Sequence, residues 1–205
     1  MSQVAWSHVF SEVILRADGA SEADIETFVA TIGQPLAPAE LDDINGTKSR
    51  FTKPETWIIP NSPLPSSYLS FLRWSNGGEF RNGDRLLQFF PILDPIHGVR
   101  AMLLAYQVPY THPGILPFAF NGGGIFYAFD MRYRPTNGEY PIVAAACGYS
   151  HFPYSLEATF LDTCLCKIDF ELKWNEKDEI TRPQFDECGE YLVCPECGKR
   201  GRVTH

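Results

Sequence analysis

Apolar residues recur at three- and four-residue spacing within PLPSSYLSFLRWSNGGEF, residues 63–80, and this pattern predicts a short amphipathic helix. Tyr68, Phe71, Leu72 and Ser75 fall on one stripe, and Pro65 supplies the fixed φ tolerated at a first helical position. Asn76, Gly77 and Gly78 accept positive φ where a helix must stop, and Glu79 with Phe80 opens an extended segment. The unit reads as helix, sharp stop, strand.

The rest of the chain arranges itself around that unit. Val4, Phe10, Val13 and Ile14 permit a helix over Val4 to Leu15, broken by Asp18-Gly19. Ser21 followed three residues later by Asp24 has the form of a capping box, and Ile25, Phe28, Val29 and Ile32 give the helix behind it a stripe that ends at Gly33. PLAPAELDDING suggests a further short helix stopping at Asn45-Gly46, and Trp57 to Ile59 before Pro60 reads as an edge strand. Leu86 to Phe90 favours a strand and Val99 to Tyr106 a helix. Ile115 to Phe120 and Ile125 to Asp130, joined by Asn121 to Gly124, predict a hairpin whose second strand is apolar on both faces and so lies inside the sheet. Tyr140 to Cys147 is another strand after an Asn137-Gly138 turn, and Ser155 precedes a late helix carrying Leu156, Phe160, Leu161, Cys164 and Leu165.

The spacing LPxxYxxFLxxxNGG, here Leu64, Pro65, Tyr68, Phe71, Leu72, Asn76 and Gly77, resembles the signature of the SUKH superfamily of cell-wall-synthesis regulators and bacterial toxin-immunity proteins. A second block in the same order, Pro117 to Arg132, resembles the glycine turn and strand pair of that group. The resemblance covers about Ser21 to Lys167. It implies an α+β fold, a mainly antiparallel sheet with helices packed on one face, and a noncatalytic role in binding protein.

The composition bears on partners and compartment. Seventeen basic against 25 acidic side chains leave a formal charge of −8, the wrong sign for a phosphate-backbone binder. No apolar run approaches the roughly 20 residues that span a bilayer, and the first residues lack a basic region followed by a long apolar one. The cysteines cluster late instead of lacing the chain as a disulfide framework, so a cytoplasmic, reducing compartment is expected. Composition shifts at Lys173 to an acidic, aliphatic-poor stretch, which divides the chain into a domain over 1–172 and a Cys-rich extension over 173–205.

Candidate chemistry is sparse. Cys194 and Cys197 sit on a CPECG turn of zinc-knuckle form; Cys188 and His205 are the local candidates to complete four ligands, with Cys164 or Cys166 a more distant alternative, and the competing reading is a pair of free or oxidisable thiols. The run Gly122 to Gly124 lacks the lysine and hydroxyl of a nucleotide loop and reads as a turn. Asp130, Arg132 and Glu79 are charged residues beside apolar segments, readable as a ligand site or as an Arg-carboxylate clamp joining strands. Trp74 is a candidate for a binding groove. Cys147, Ser150 and His151 would make a nucleophilic site only if a base and an orienting acid converged on them.

The expected function is recognition of a protein partner, with a bacterial toxin domain the partner that the resemblance implies. Two other readings stand beside it. One is a small-ligand protein or enzyme with a pocket near Glu79, Asp130 and Arg132; the other is a zinc-dependent interaction module built on the tail.

Overall fold

A computed structural model of the chain describes residues 4–47, 53–147, 153–156 and 158–167. Seven strands form one sheet in which each strand pairs antiparallel with the next in sequence: β1 (Glu12–Arg16), β2 (Gly78–Asn82), β3 (Arg85–Phe89), β4 (Ile115–Phe120), β5 (Ile125–Asp130), β6 (Ile142–Ala146) and β7 (Tyr154–Ser155). The helices are α1 (Glu22–Thr31), α2 (Pro38–Thr47), α3 (Ser66–Trp74), α4 (Val99–Ala105), α5 (Val108–Thr111) and α6 (Phe160–Leu165). This is the expected α+β class.

The organising helix is α3. Its stripe buries Tyr68, Phe71 and Leu72 against the sheet, and Ser75 behind them is fully buried. Because side chains alternate along a strand, Phe80, Leu87, Phe89, Phe118 and Phe129 all point to the α3 face. Phe71 lies 4.3 Å from Phe89 by ring centre, and Phe160 of α6 packs edge-on to Tyr68 at 5.3 Å and to Phe118 at 5.1 Å. The core on this face is an aromatic layer. The opposite face is covered over β4 and β5, where Tyr106 at the end of α4 meets Phe120 and Phe126 edge-on at 5.3 and 5.1 Å.

The end of α3 is fastened to the segment before α1. The Ala20 amide donates to the Leu72 carbonyl at 2.8 Å, the Asn76 amide to Asp18 at 3.0 Å, and a Cβ on Gly19 would run into the Arg73 carbonyl. One orphan carbonyl of the helix end, that of Leu72, is thereby answered by a chain segment that only glycine lets close enough. Ser21 caps α1 with the predicted reciprocal box: its Oγ accepts from the Asp24 amide at 3.1 Å, and the Asp24 carboxylate accepts from the Ser21 amide at 3.2 Å.

Several local expectations are corrected. Residues 4–15 are not a helix but a single 3-10 turn (Trp6–His8) followed by β1, because Glu12, Val13, Leu15 and Arg16 gain a ladder along β2, with the β-branched Val13 and Ile14 suited to extended backbone. Trp57 to Ile59 form no strand; a 3-10 turn (Pro54–Thr56) precedes them and Ile58 stands in solvent. The late helix starts at Phe160 instead of beside Ser155, which belongs to β7. Its cap is Thr159, whose Oγ1 accepts from the Asp162 amide at 3.3 Å.

Candidate functional site

The sheet face opposite α3 is covered over β4 and β5 but open over β1 to β3. Two cross-strand rows occupy the open part. The register Leu15, Glu79, Gln88, Phe120 forms one, and Glu12, Arg81, Leu86 forms the other. Leu15 is 60% exposed, Arg81 is exposed, and Glu79, Leu86 and Gln88 are half-buried. Gln88 Nε2 donates to Glu79 Oε1 at 2.9 Å, and Arg81 Nε lies 3.3 Å from Glu12 Oε2. Glu12 and Arg81 are thus an ion pair in the plane of this surface and the Glu79 carboxylate is held by a neutral amide, with Leu15 and Leu86 as the apolar side chains between them. Tyr106 and Phe120 border it on one side and β1 on the other.

The edge strand has its own geometry. Between Val13, opposite Phe80, and Leu15, opposite Glu79, β1 carries one extra residue, Ile14. Such a bulge reverses which residues share a face. Glu12 consequently sits with Arg81 on the open face, while Arg16 crosses to the α3 face and meets Trp74.

The four predicted binding residues do not converge. Trp74 lies on the α3 side among Phe10, Phe71 and Phe80, stacked on Phe10 at 6.1 Å. Glu79 lies on the other face. Asp130 ends β5, three strands from Glu79, a separation of at least about 14 Å at normal strand spacing. Asp130 and Arg132 do pair, with Nε and Nη2 each 2.7 Å from one carboxylate oxygen. The pair is internal to one chain segment and joins no strands. Arg132 is held above its ordinary range by hydrogen bonding to Asp130. Burial pushes the Cys147 thiol up to about 12, so it is protonated at neutral pH and unsuited to nucleophilic attack.

His151 and Ser150 lie outside the described residues, as do Cys188, Cys194, Cys197, His205 and the whole 173–205 extension. Among the described residues no three His, Cys, Asp or Glu side chains are grouped to hold a metal ion, and no helix is long and apolar enough to cross a membrane.

A second surface is set by charge. Residues 17–47 contain Asp18, Glu22, Asp24, Glu26, Glu40, Asp42 and Asp43 and neither lysine nor arginine. Arg73 answers Glu22 and holds its carboxyl below the usual range, Arg100 does the same for Glu40, and Asp24 is spent on its cap. Glu26 and Asp42 project from exposed positions on α1 and α2.

The model of the SMI1 / KNR4 family (SUKH-1) matches residues 55–162, just over half the chain. The chain belongs to that family. The matched span contains α3 with its Asn-Gly-Gly stop, the β4–β5 hairpin and the start of α6, so the two blocks that suggested the SUKH superfamily both lie inside it. Among curated proteins no match is found. SUKH membership is consistent with a protein-binding role in toxin immunity or regulation.

Sequence reasoning singled out Glu79 but not its surroundings. The polar positions Glu79, Arg81 and Gln88 alternate with Phe80, Leu87 and Phe89, a period-two signal for an uncovered face that was legible in the chain. Leu15 carried no such signal, since its neighbour Glu79 is distant in sequence.

Proposed function

We propose that this SUKH-1 domain is a noncatalytic, cytoplasmic protein-binding module, of the toxin-immunity or regulatory kind, which acts by covering a partner's working surface. The observation that carries the reading is the uncovered part of the sheet over β1 to β3, where Leu15 and Leu86 stand beside the Glu12–Arg81 ion pair and the hydrogen-bonded Glu79 and Gln88. Apolar side chains held on a rigid sheet bury area at little ordering cost, and Glu79, whose carboxylate has only an amide partner here, offers an acceptor for a positive or donor group of the partner. The acidic α1–α2 region suits a basic partner, such as a nuclease toxin domain, by steering it at long range.

The test is a pulldown with tagged full-length protein, followed by affinity measurement on the recovered partner. Leu86→Asp and Leu15→Asp should each weaken a stoichiometric complex by at least about tenfold, through faster dissociation. Glu26→Lys with Asp42→Lys should slow association and reduce its salt dependence. A partner whose affinity ignores all four substitutions would overturn the placement of the interface. Recovery of small-molecule turnover with no protein partner would overturn the function.

A further inference from the structure

Arg85 opens β3 on the α3 side and is 3% exposed. Its Nη1 donates to the carbonyls of Thr163 at 2.6 Å and Cys166 at 3.2 Å, at the end of α6, and its guanidinium carbon lies 4.9 Å from the centre of the Tyr127 ring. That accounts for one nitrogen. Nε and Nη2 are buried with no hydrogen-bond partner, and so is Oγ1 of Thr163, the residue whose carbonyl Arg85 already holds.

These orphans are not scattered. Among the described residues four buried side-chain polar atoms lack a partner, and only the Tyr68 hydroxyl lies outside this pair of residues. Moreover, Nε and Nη2 form one edge of the guanidinium. Arg73, Arg100 and Arg132 each present that edge to the two oxygens of one carboxylate. Arg85 presents it with no carboxylate of the described residues in ion-pair range. Helix-end carbonyls and an aromatic face offset part of a buried positive charge, but neither carries a full negative one.

We propose that Arg85 is the receptor for a small carboxylate-type oxyanion bound beneath α6, its two oxygens on Nε and Nη2 and the Thr163 hydroxyl donating a third hydrogen bond. Two oxygens in the guanidinium plane match the fork as a monatomic ion does not. Water would satisfy the donors and leave the charge unanswered by any carboxylate of the described residues. The site lies on the face opposite the proposed partner surface and is independent of it. Occupancy would tie β3 to the end of α6 and so stabilise the helix whose Phe160 closes the aromatic layer.

The experiment uses dialysed full-length protein titrated with sodium formate, against sodium chloride at matched ionic strength. Thermal midpoint and the Nε–Hε NMR resonance of Arg85 are followed together. Formate should move the resonance saturably and raise the midpoint by about 5–10 °C at a hundredfold excess over its dissociation constant. Thr163→Val should weaken formate about three- to tenfold while the protein stays folded. Arg85→Lys, which keeps the charge but loses the fork, should abolish the response. An Arg85 resonance indifferent to formate and showing only water contacts would overturn the proposal, as would chloride acting as strongly as formate. If Arg85→Lys does not fold, the wild-type resonance and Thr163→Val still decide.

Discussion

Arg16 meets Trp74 twice: Nη1 donates to the Trp74 carbonyl at 2.9 Å, and the guanidinium carbon lies 5.6 Å from the centre of the indole. A strand without the Ile14 bulge would point Arg16 the same way as Glu12, away from α3. The contact therefore depends on one inserted residue, and it answers the last carbonyl of α3 with a positive group where the helix dipole favours one. Arg16→Ala should cost about 1 kcal/mol in urea unfolding, most of it absent from Glu12→Ala, whose partner Arg81 is in solvent.

Arg100 gathers more partners than any other arginine described. Nε and Nη2 hold the two oxygens of Glu40 at 2.7 and 2.8 Å, and Nη1 donates to Ile32 at 2.9 Å and Gln34 at 3.0 Å past the end of α1. Replacement by lysine keeps a charge but not the fork, and should cost about 2–3 kcal/mol by chemical denaturation.

Glu40 makes that prediction pH-dependent. Hydrogen bonding to Arg100, and secondarily to the Ala37 amide, holds its carboxyl below the ordinary 4.5. A depressed folded-state value means stability that is full above about pH 4.5 and is lost as pH falls through the folded value. Unfolding free energy followed from pH 6 to pH 3 should therefore fall less steeply in Glu40→Gln than in the wild type.

Alkaline stability should decline for the opposite reason. Burial raises Tyr68 above its ordinary 10.0 and pushes Cys147 from 9.0 up to about 12. The unfolded chain releases these protons at lower pH than the folded one, so stability falls from about pH 9 upward. Tyr68→Phe removes a buried hydroxyl without a hydrogen-bond partner among the described residues. It should leave stability at pH 7 unchanged or raised by about 1 kcal/mol, with a flatter alkaline limb.

Two glycines separate conformation from crowding. Gly78 has φ of 124° and a Cβ there would strike the Leu15 carbonyl across the β1–β2 ladder, whereas Gly138 has φ of 81° with nothing within 4 Å of its Cβ. Gly138→Ala should cost about 1 kcal/mol and Gly78→Ala about 2–4 kcal/mol, with β1 amides losing hydrogen-exchange protection in the second variant only.

Local signals carried the parts of the fold whose cause is local. The Ser21 box, the Asn-Gly-Gly stop and the 115–130 hairpin each follow from residues within a few positions of one another. The same logic was available at Thr159 and Asp162, which repeat the Ser21 and Asp24 spacing, and it marks the true start of α6. β1 was of another kind. Its five residues are all exposed and permit more than one conformation; β2, some sixty residues on, decides between them.

The candidate surface divides the same way. Alternation along Gly78–Phe89 already separated a buried face from a polar one, and the charge of residues 17–47 needs no structure to be read. What only tertiary structure decided was which sheet face the helices leave open, that Trp74 and Glu79 stand on opposite sides of it, and that the carboxylate clamp of Arg132 closes within its own segment. Those outcomes rest on strand register, on a bulge at Ile14 that swaps faces, and on long-range packing. None of these is encoded within a window of neighbouring residues, because each is a choice among pairings whose energies become unequal only when distant side chains are buried together.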